Sequence, residues 1–293
     1  MPPTLDDHVW RKASLLTKLY LLILNIPFLR RGLVRKVQEE FSQENLYVKC
    51  AGLESDRNPG VERKTSIYPV IIDKPDFAKI RQACKAKQVS VYSAIQTAAS
   101  QAICEMIVEE AIKRRIPVEE LTQTSVRAIA AVHRDDVIRN KESFLCTLSY
   151  LIPHTIDVTA SCDSDTFWQR AQTAHTNARS NMAACQLEFL YLIAITQGCV
   201  EPLFNARFPS VLELGYMGNC NYLNRERTAG VKVTAHFSTP ALHRAGPVFS
   251  NSVTAVDDKL CWSVAYFPNV TTKEPAVRYL HRSVEILMEN CSE

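Results

Sequence analysis

The sequence predicts a mixed α/β fold (α+β mixed), in which a mixed β-sheet is covered by helices. Three observations carry this. Long segments of helical periodicity alternate with short β-branched runs through the first two-thirds of the chain. The last third changes to closely spaced strand-like segments followed by one closing helix. Asp257-Asp258 sits between two of those segments as a two-residue hairpin turn. Helices and strands in this order bury their apolar faces best as a sheet with helices packed on it.

Residues 5–25 and 28–41 read as two helices broken at Ile26-Pro27, because Pro disfavours helix in the residue before it. Ala51 to Lys64 is polar, holds Gly52, Pro59 and Gly60, and reads as a loop. Thr65 to Asp73 has strand composition, and Pro69 marks it as an edge or bulged strand. Pro75 suits the first turn of a helix running to about Lys87. Ser90 is an N-cap for a long helix from Val91 to about Arg115. Ala94, Ala98, Ala99, Ala102, Ile103 and Met106 give that helix a small-residue apolar face.

Thr124 to Val132 and Cys146 to Pro153 read as strands. Asp163 to Met182 is a helix with Phe167, Ala171, Ala174 and Ala178 on one face, and Ala183 to Cys199 is a further helix. Val211 to Gly215, Gly230 to Phe237, Val248 to Val256 and Lys259 to Phe267 have strand composition. Lys273 to Asn290 closes the chain as a helix, with Ala276, Tyr279, Leu280, Val284 and Leu287 at helical spacing. Residues 1–60 are expected to form a helical linker segment and 61–293 the main lobe.

Hydrophobic residues make up 46% of the chain and charged residues 22%, the balance of an ordinary globular protein with a substantial core. The net charge of +3 is too small an excess to argue for nucleic acid binding. The ten cysteines include no Cys-x-x-Cys pair, so a structural zinc site is not expected. Several lie inside apolar runs and read as small buried hydrophobes of a reducing compartment, which with the absence of a signal-peptide pattern points to the cytoplasm. The apolar run Leu19 to Leu29 is too short to span a bilayer and is interrupted by Asn25 and Pro27, so no transmembrane segment is expected. Asn269-Val-Thr271 and Asn290-Cys-Ser292 match the glycosylation acceptor pattern, which carries little meaning without a secretory signal.

The chemistry-bearing motifs are mostly absent. There is no Gly-x-Ser-x-Gly elbow and no Gly-rich loop followed by Lys. Gly215 and Gly218 read as a backbone turn at a strand end. Of seven histidines, His281 with Glu285 reads as an exposed polar pair at i,i+4. His133 reads as part of a polar strand end or loop, and His236 as a buried strand histidine. Ser238 and Thr239 are candidates to line a channel. No His-His pair occurs, and no His is followed four residues later by Asp.

Several segments together resemble a known family. Residues 89–103 (VSVYSAIQTAASQAI) resemble a helix of the condensation-domain-like, CoA-dependent acyltransferases, and 124–136 (TSVRAIAAVHRDD), with Arg127 near its start, resemble their following strand. Residues 214–223 (LGYMGNCNYL) fall where many members carry Ser-Asn-x-Gly; here Asn219 and Asn221 are present without the Ser. Residues 248–287 resemble the closing hairpin and helix, and the opening MPPTLDDHV is similar to the linker leaving the first lobe in alcohol acetyltransferases and phthiocerol/phthiodiolone dimycocerosyl transferases.

The resemblance implies a chloramphenicol-acetyltransferase-like C-terminal lobe, one of two lobes flanking a tunnel for an acyl thioester and its acceptor. It also implies that the His-His-x-x-x-Asp motif belongs to the other lobe, so no catalytic residue carries over to this chain. Asn219, Asn221, Ser238 and Thr239 are the implied tunnel-lining candidates. No bound cofactor and no metal is expected. Acyl-CoA or a carrier-bound thioester is the implied donor, a hydroxyl or amine the acceptor, and a lobe bearing the His motif the implied partner. The alternative is a non-catalytic module that binds an acyl chain, a CoA thioester or a protein.

Overall fold

A computed structural model of the chain describes residues 26–28, 31–32, 35, 45–53, 64–122, 125–133, 149–158, 162–178, 210–224, 232–239, 247–268 and 270–292. The expected helices over 5–25 and 183–199 lie outside these residues, as do most of 28–41 and of the 51–64 loop. The described elements are α1 (Leu46–Ala51), β1 (Ser66–Ile72), α2 (Lys74–Ala86), α3 (Val91–Lys113), α4 (Val118–Thr122), β2 (Ser125–His133) and β3 (Ser149–Asp157). After them come α5 (164–178), β4 (Leu212–Asn219), a 3-10 turn (Asn221–Asn224), β5 (Phe249–Val256), β6 (Lys259–Tyr266) and α6 (Lys273–Cys291).

The strands form one six-stranded sheet in the order β1-β6-β5-β4-β2-β3. The outer pairs are antiparallel, while β2, β4 and β5 run parallel, so the sheet is mixed as expected. β1 is an edge strand, where a residue without an N–H such as Pro69 does least harm to the ladder. Gly218 lies in the left-handed region (φ 73°) where the β4–β5 register shifts between Tyr216 and Asn219, so the second glycine of Gly215-x-x-Gly218 makes a bulge near the strand end.

The helices lie on one face. Ser90 caps α3, its hydroxyl oxygen accepting from the Ser93 amide at 3.1 Å. The expected small-residue face of α3 (Ala94, Ala98, Ala99, Ala102, Ile103 and Met106) is buried, and Ser93, Gln96, Thr97, Ser100 and Gln101 are buried as well. The helix is enclosed nearly all round, with α6, α1 and α2 among its neighbours, and such a helix shows little amphipathic contrast. α1 seats Leu46, Tyr47 and Cys50 in the same core. At the outer seam between α3 and α6, Arg282 donates to Glu105 at 2.7 Å and Arg278 to Glu109 at 2.7 Å.

A fully paired polar knot lies beneath this helical layer. The Asn251 amide donates to the Glu213 carbonyl and to the Tyr279 hydroxyl, both at 3.0 Å, and its oxygen accepts from the Trp262 indole at 3.0 Å. Phe249 stacks on Tyr279 with centroids 4.8 Å apart and meets Tyr47 at 5.4 Å. Burial pushes the Tyr279 phenol well above its ordinary value, so it stays neutral inside the core.

The strand expected over Gly230 to Phe237 is not formed by its described residues, 232–237. Residues 232–239 are described and pair with no strand. Strand composition there suits a segment lying flat on a half-buried surface without joining a ladder. Among the described residues no helix is long and apolar enough to cross a membrane.

Two outcomes follow. Asn251→Leu leaves the Trp262 N–H and the Glu213 carbonyl without their partner and should destabilise the fold by about 3 kcal/mol in urea unfolding. Asp257 and Asp258 both adopt positive φ (52° and 58°), the conformation of a type I′ hairpin. Asp258→Gly relieves that conformation, losing only a marginal exposed contact to Arg81, and should raise stability by about 0.5–1 kcal/mol in the same assay.

Candidate functional site

The face of the sheet opposite the core carries the polar chemistry. Residues alternate sides along a strand, and Asn251 and Val253 point toward the helices, so Ser250, Ser252 and Thr254 of β5 point away. Their cross-strand neighbours on that side are Ala265, Ser263 and Cys261 of β6, and Glu213 and Gly215 of β4. The Ser263 hydroxyl donates to the Ser252 carbonyl at 3.5 Å, and the Ser250 hydroxyl to the Glu213 carboxylate at 3.3 Å. The result is a hydroxyl-lined floor. The period-two run Ser250, Ser252, Thr254 was visible in the sequence, but sequence reasoning took the segment only as a hairpin strand.

Residues 232–239 lie over this floor as a strap. Val233 and Ala235 pack on the small apolar seat of Cys220, Val256 and Cys261. Asn224 holds Val233 at both backbone groups, its amide nitrogen donating to the carbonyl and its oxygen accepting from the N–H, each at 3.0 Å. The Thr254 hydroxyl donates to the His236 carbonyl at 2.5 Å. Ser238 donates to the Met217 sulfur at 3.0 Å, and Thr239 and Ser263 exchange a hydroxyl contact at 3.4 Å. Lys232 and Lys74 both pair with Asp257 at the hairpin tip. Large apolar side chains are exposed on this same face: Ile67 (51%) and Ile71 (42%) on β1, beside Phe237 of the strap and Met217 of β4.

The four predicted lining residues fall into two pairs. Ser238 and Thr239 sit on the strap, in contact with β4 and with the hydroxyl floor. Asn219 and Asn221 hold the turn after β4. The Asn219 side-chain oxygen accepts from the Asn221 amide at 2.9 Å, and that of Asn221 from the Asp257 amide at 2.7 Å. These oxygens therefore fix the backbone, and each side chain keeps an NH2 group to offer. Met217 of β4 joins the two pairs, touching Ser238 two residues before Asn219.

The histidines fall differently from expectation. His281 does not pair with Glu285. Its Nε2 meets the Tyr68 hydroxyl at 3.0 Å, while Glu285 accepts from Arg282 at 3.4 Å, because a neighbour on β1 outcompetes the one a turn away. His236 is not in a strand; its Nδ1 is buried without a hydrogen-bond partner among the described residues. His133 is the last residue of β2, at the strand end as expected, and its side chain lies outside the described residues. Among the described residues no cluster of His, Cys, Asp and Glu is placed to hold a metal ion.

The Asp257 carboxyl is held below its ordinary value, first by the hydrogen bond from Lys232 and then by that from Lys74. A lowered folded-state value adds stability above the ordinary carboxylate range, and that stability is lost as pH falls through the folded value. Asp257→Asn should therefore melt below the wild type at neutral pH. The difference should shrink as pH is taken below about 3.8, the ordinary value for the group, in thermal scans from pH 7 to pH 2.5.

No family model and no curated protein matches the sequence. Solved structures do match. The EpoB NRPS cyclization-docking bidomain from Sorangium cellulosum superposes with a TM-score of 0.54 at 12% identity, over 92% of this chain and 51% of that one. The TRI3 trichothecene 15-O-acetyltransferase from Fusarium sporotrichioides gives 0.53 at 12% identity, over 84% of this chain and 53% of that one. The X-domain in complex with OxyB from teicoplanin biosynthesis gives 0.50 at 12% identity, over 85% and 53%. The chain thus spans about half the length of the structures it matches. It shares its fold, over most of its length, with these NRPS domains and with this acetyltransferase.

Proposed function

We propose that this chain provides the C-terminal lobe of an acyl-transfer centre whose catalytic histidine comes from a second lobe, in the same polypeptide or a separate one. The observation that carries this reading is the fold shared with an acetyltransferase and with NRPS domains over half their length, in a sequence without a His-His-x-x-x-Asp motif. In such a centre the base takes the proton from an acceptor hydroxyl or amine. The freed lone pair attacks the carbonyl of an acyl-CoA or carrier-bound thioester. The tetrahedral oxyanion then collapses, the C–S bond breaks, and the departing thiolate takes the proton back from the base. The base accounts for roughly a hundred- to ten-thousand-fold of the rate and has to stand within hydrogen-bond reach of the acceptor.

This lobe would contribute the wall. Ser252, Ser263, Ser238 and Thr239 offer hydroxyls, and Asn219 and Asn221 offer NH2 donors, to orient the donor and acceptor arms. Two described histidines are poorly placed as bases: His281 is engaged with Tyr68 at the helical face, and His236 Nδ1 is buried.

The missing His-His-x-x-x-Asp motif also favours a second reading, a non-catalytic module that binds an acyl thioester without turning it over. One experiment separates the two. The purified chain is given acetyl-CoA and decanoyl-CoA with a small alcohol, with and without a co-purified His-bearing lobe of a condensation-type protein, and free thiol is followed. The first reading expects thiol release only with the added lobe. Binding by calorimetry, with no release in either arm, would favour the module. Release by the chain alone, abolished in His133→Ala or His236→Ala, would overturn the assignment of the base to another lobe.

A further inference from the structure

We propose that residues 232–239 form a gating strap, which lifts from the sheet as a unit and exposes the hydroxyl floor of Ser252, Thr254 and Ser263. This inference does not depend on the acyl-transfer reading. It rests on how the segment is attached.

A strand at the same place would be fastened by a ladder of backbone hydrogen bonds. The strap has none to the sheet among the described residues. Its described backbone partners are side chains: Asn224 at both groups of Val233, Thr254 at the carbonyl of His236, and the Cys261 thiol at the His236 backbone. Two further contacts, Ser238 to Met217 and Thr239 to Ser263, are long or involve a weak acceptor. Among the described residues its ion pair, Lys232 with Asp257, joins an exposed lysine to a carboxylate already bound by Lys74. The apolar seat is small, only Val233 and Ala235 on Cys220, Val256 and Cys261. Phe237, the largest side chain of the strap, is 40% exposed.

The closed seat is also imperfect. His236 Nδ1 is buried with no hydrogen-bond partner among the described residues, so lifting the strap restores a water bond to that nitrogen. The hydroxyls beneath would lose little on opening, since water replaces the contacts of Thr254 and Ser263. The helix-covered side of the same strands offers no such opening, because Asn251, Trp262 and Tyr279 are fully paired there. Opening is therefore confined to one face of a sheet that otherwise stays folded.

The two cysteines of the seat report the motion. Cys220 and Cys261 are each 1% exposed beneath the strap, whereas Cys84 and Cys104 are equally buried in the helical core. Opening would admit an alkylating reagent to the first pair alone. The test is site-resolved N-ethylmaleimide labelling of the full chain at neutral pH, read by peptide mass spectrometry, for the wild type and Asn224→Ala. Losing both Val233 bonds should raise the labelling rates of Cys220 and Cys261 about ten-fold and leave Cys84 and Cys104 unchanged. Lys232→Ala, a change at an exposed position that spares the core, should give the same pattern at about two-fold. Equal acceleration of all four thiols in both variants would mean that only global unfolding exposes the seat, and would overturn the proposal. So would unchanged labelling of Cys220 and Cys261 in both variants.

Discussion

The carboxamide of Asn251 is the constraint on which the rest of this molecule turns. It sits in the central part of the sheet and bonds three partners at once: the β4 backbone at Glu213, the β6 indole of Trp262 and the α6 phenol of Tyr279. Two strands and the closing helix are thereby set against β5 in one geometry. A wholly apolar contact would allow small slips between helix and sheet. A buried polar knot does not, because any slip strands a donor or acceptor in a medium that cannot solvate it. The stack of Phe249 between Tyr47 and Tyr279 extends the same constraint to α1.

With that face locked, the two sides of the sheet become physically unlike. One side is dry and aromatic, and it is sealed by α3 and α6, whose outer seam is held by the Arg282 and Arg278 ion pairs. The other presents hydroxyls and apolar side chains, crossed by residues 232–239.

Much of the architecture was legible because local signals and tertiary demands agreed. Ser90 before an apolar run, Pro69 in a β-branched run, and Asp257-Asp258 between two strands each have one cheap structural solution, and the fold uses it. The failures came where distant partners decided. Gly230 to Phe237 has β composition, but composition records a fit to a flat surface and says nothing of whether backbone partners are within reach. His281 had an acid one turn away, yet Tyr68 lies far off in sequence and won. The polar residues of α3 hid its burial, because Ser, Thr and Gln in a sequence look solvated until the packing around them is known. Of the four named residues, Ser238 and Thr239 sit on the strap by Met217 and Ser263, while Asn219 and Asn221 hold the turn after β4. The floor itself went unread, since its serines resemble the solvated face of any half-exposed strand.

The parallel pairing of β4 with β5 has a consequence for anything that binds here. Parallel neighbours cannot be joined by a tight turn, so the chain has to travel back from Asn219 to the start of β5 at Phe249. The strap is a stretch of that return path and is covalently held at both ends. It can move aside but cannot diffuse away, so it competes for its seat at an effective concentration on the order of millimolar. An incoming molecule meets a resident rival rather than an empty surface. Weak and partial fits are rejected, and only an occupant whose contacts exceed those of an eight-residue segment gains the floor.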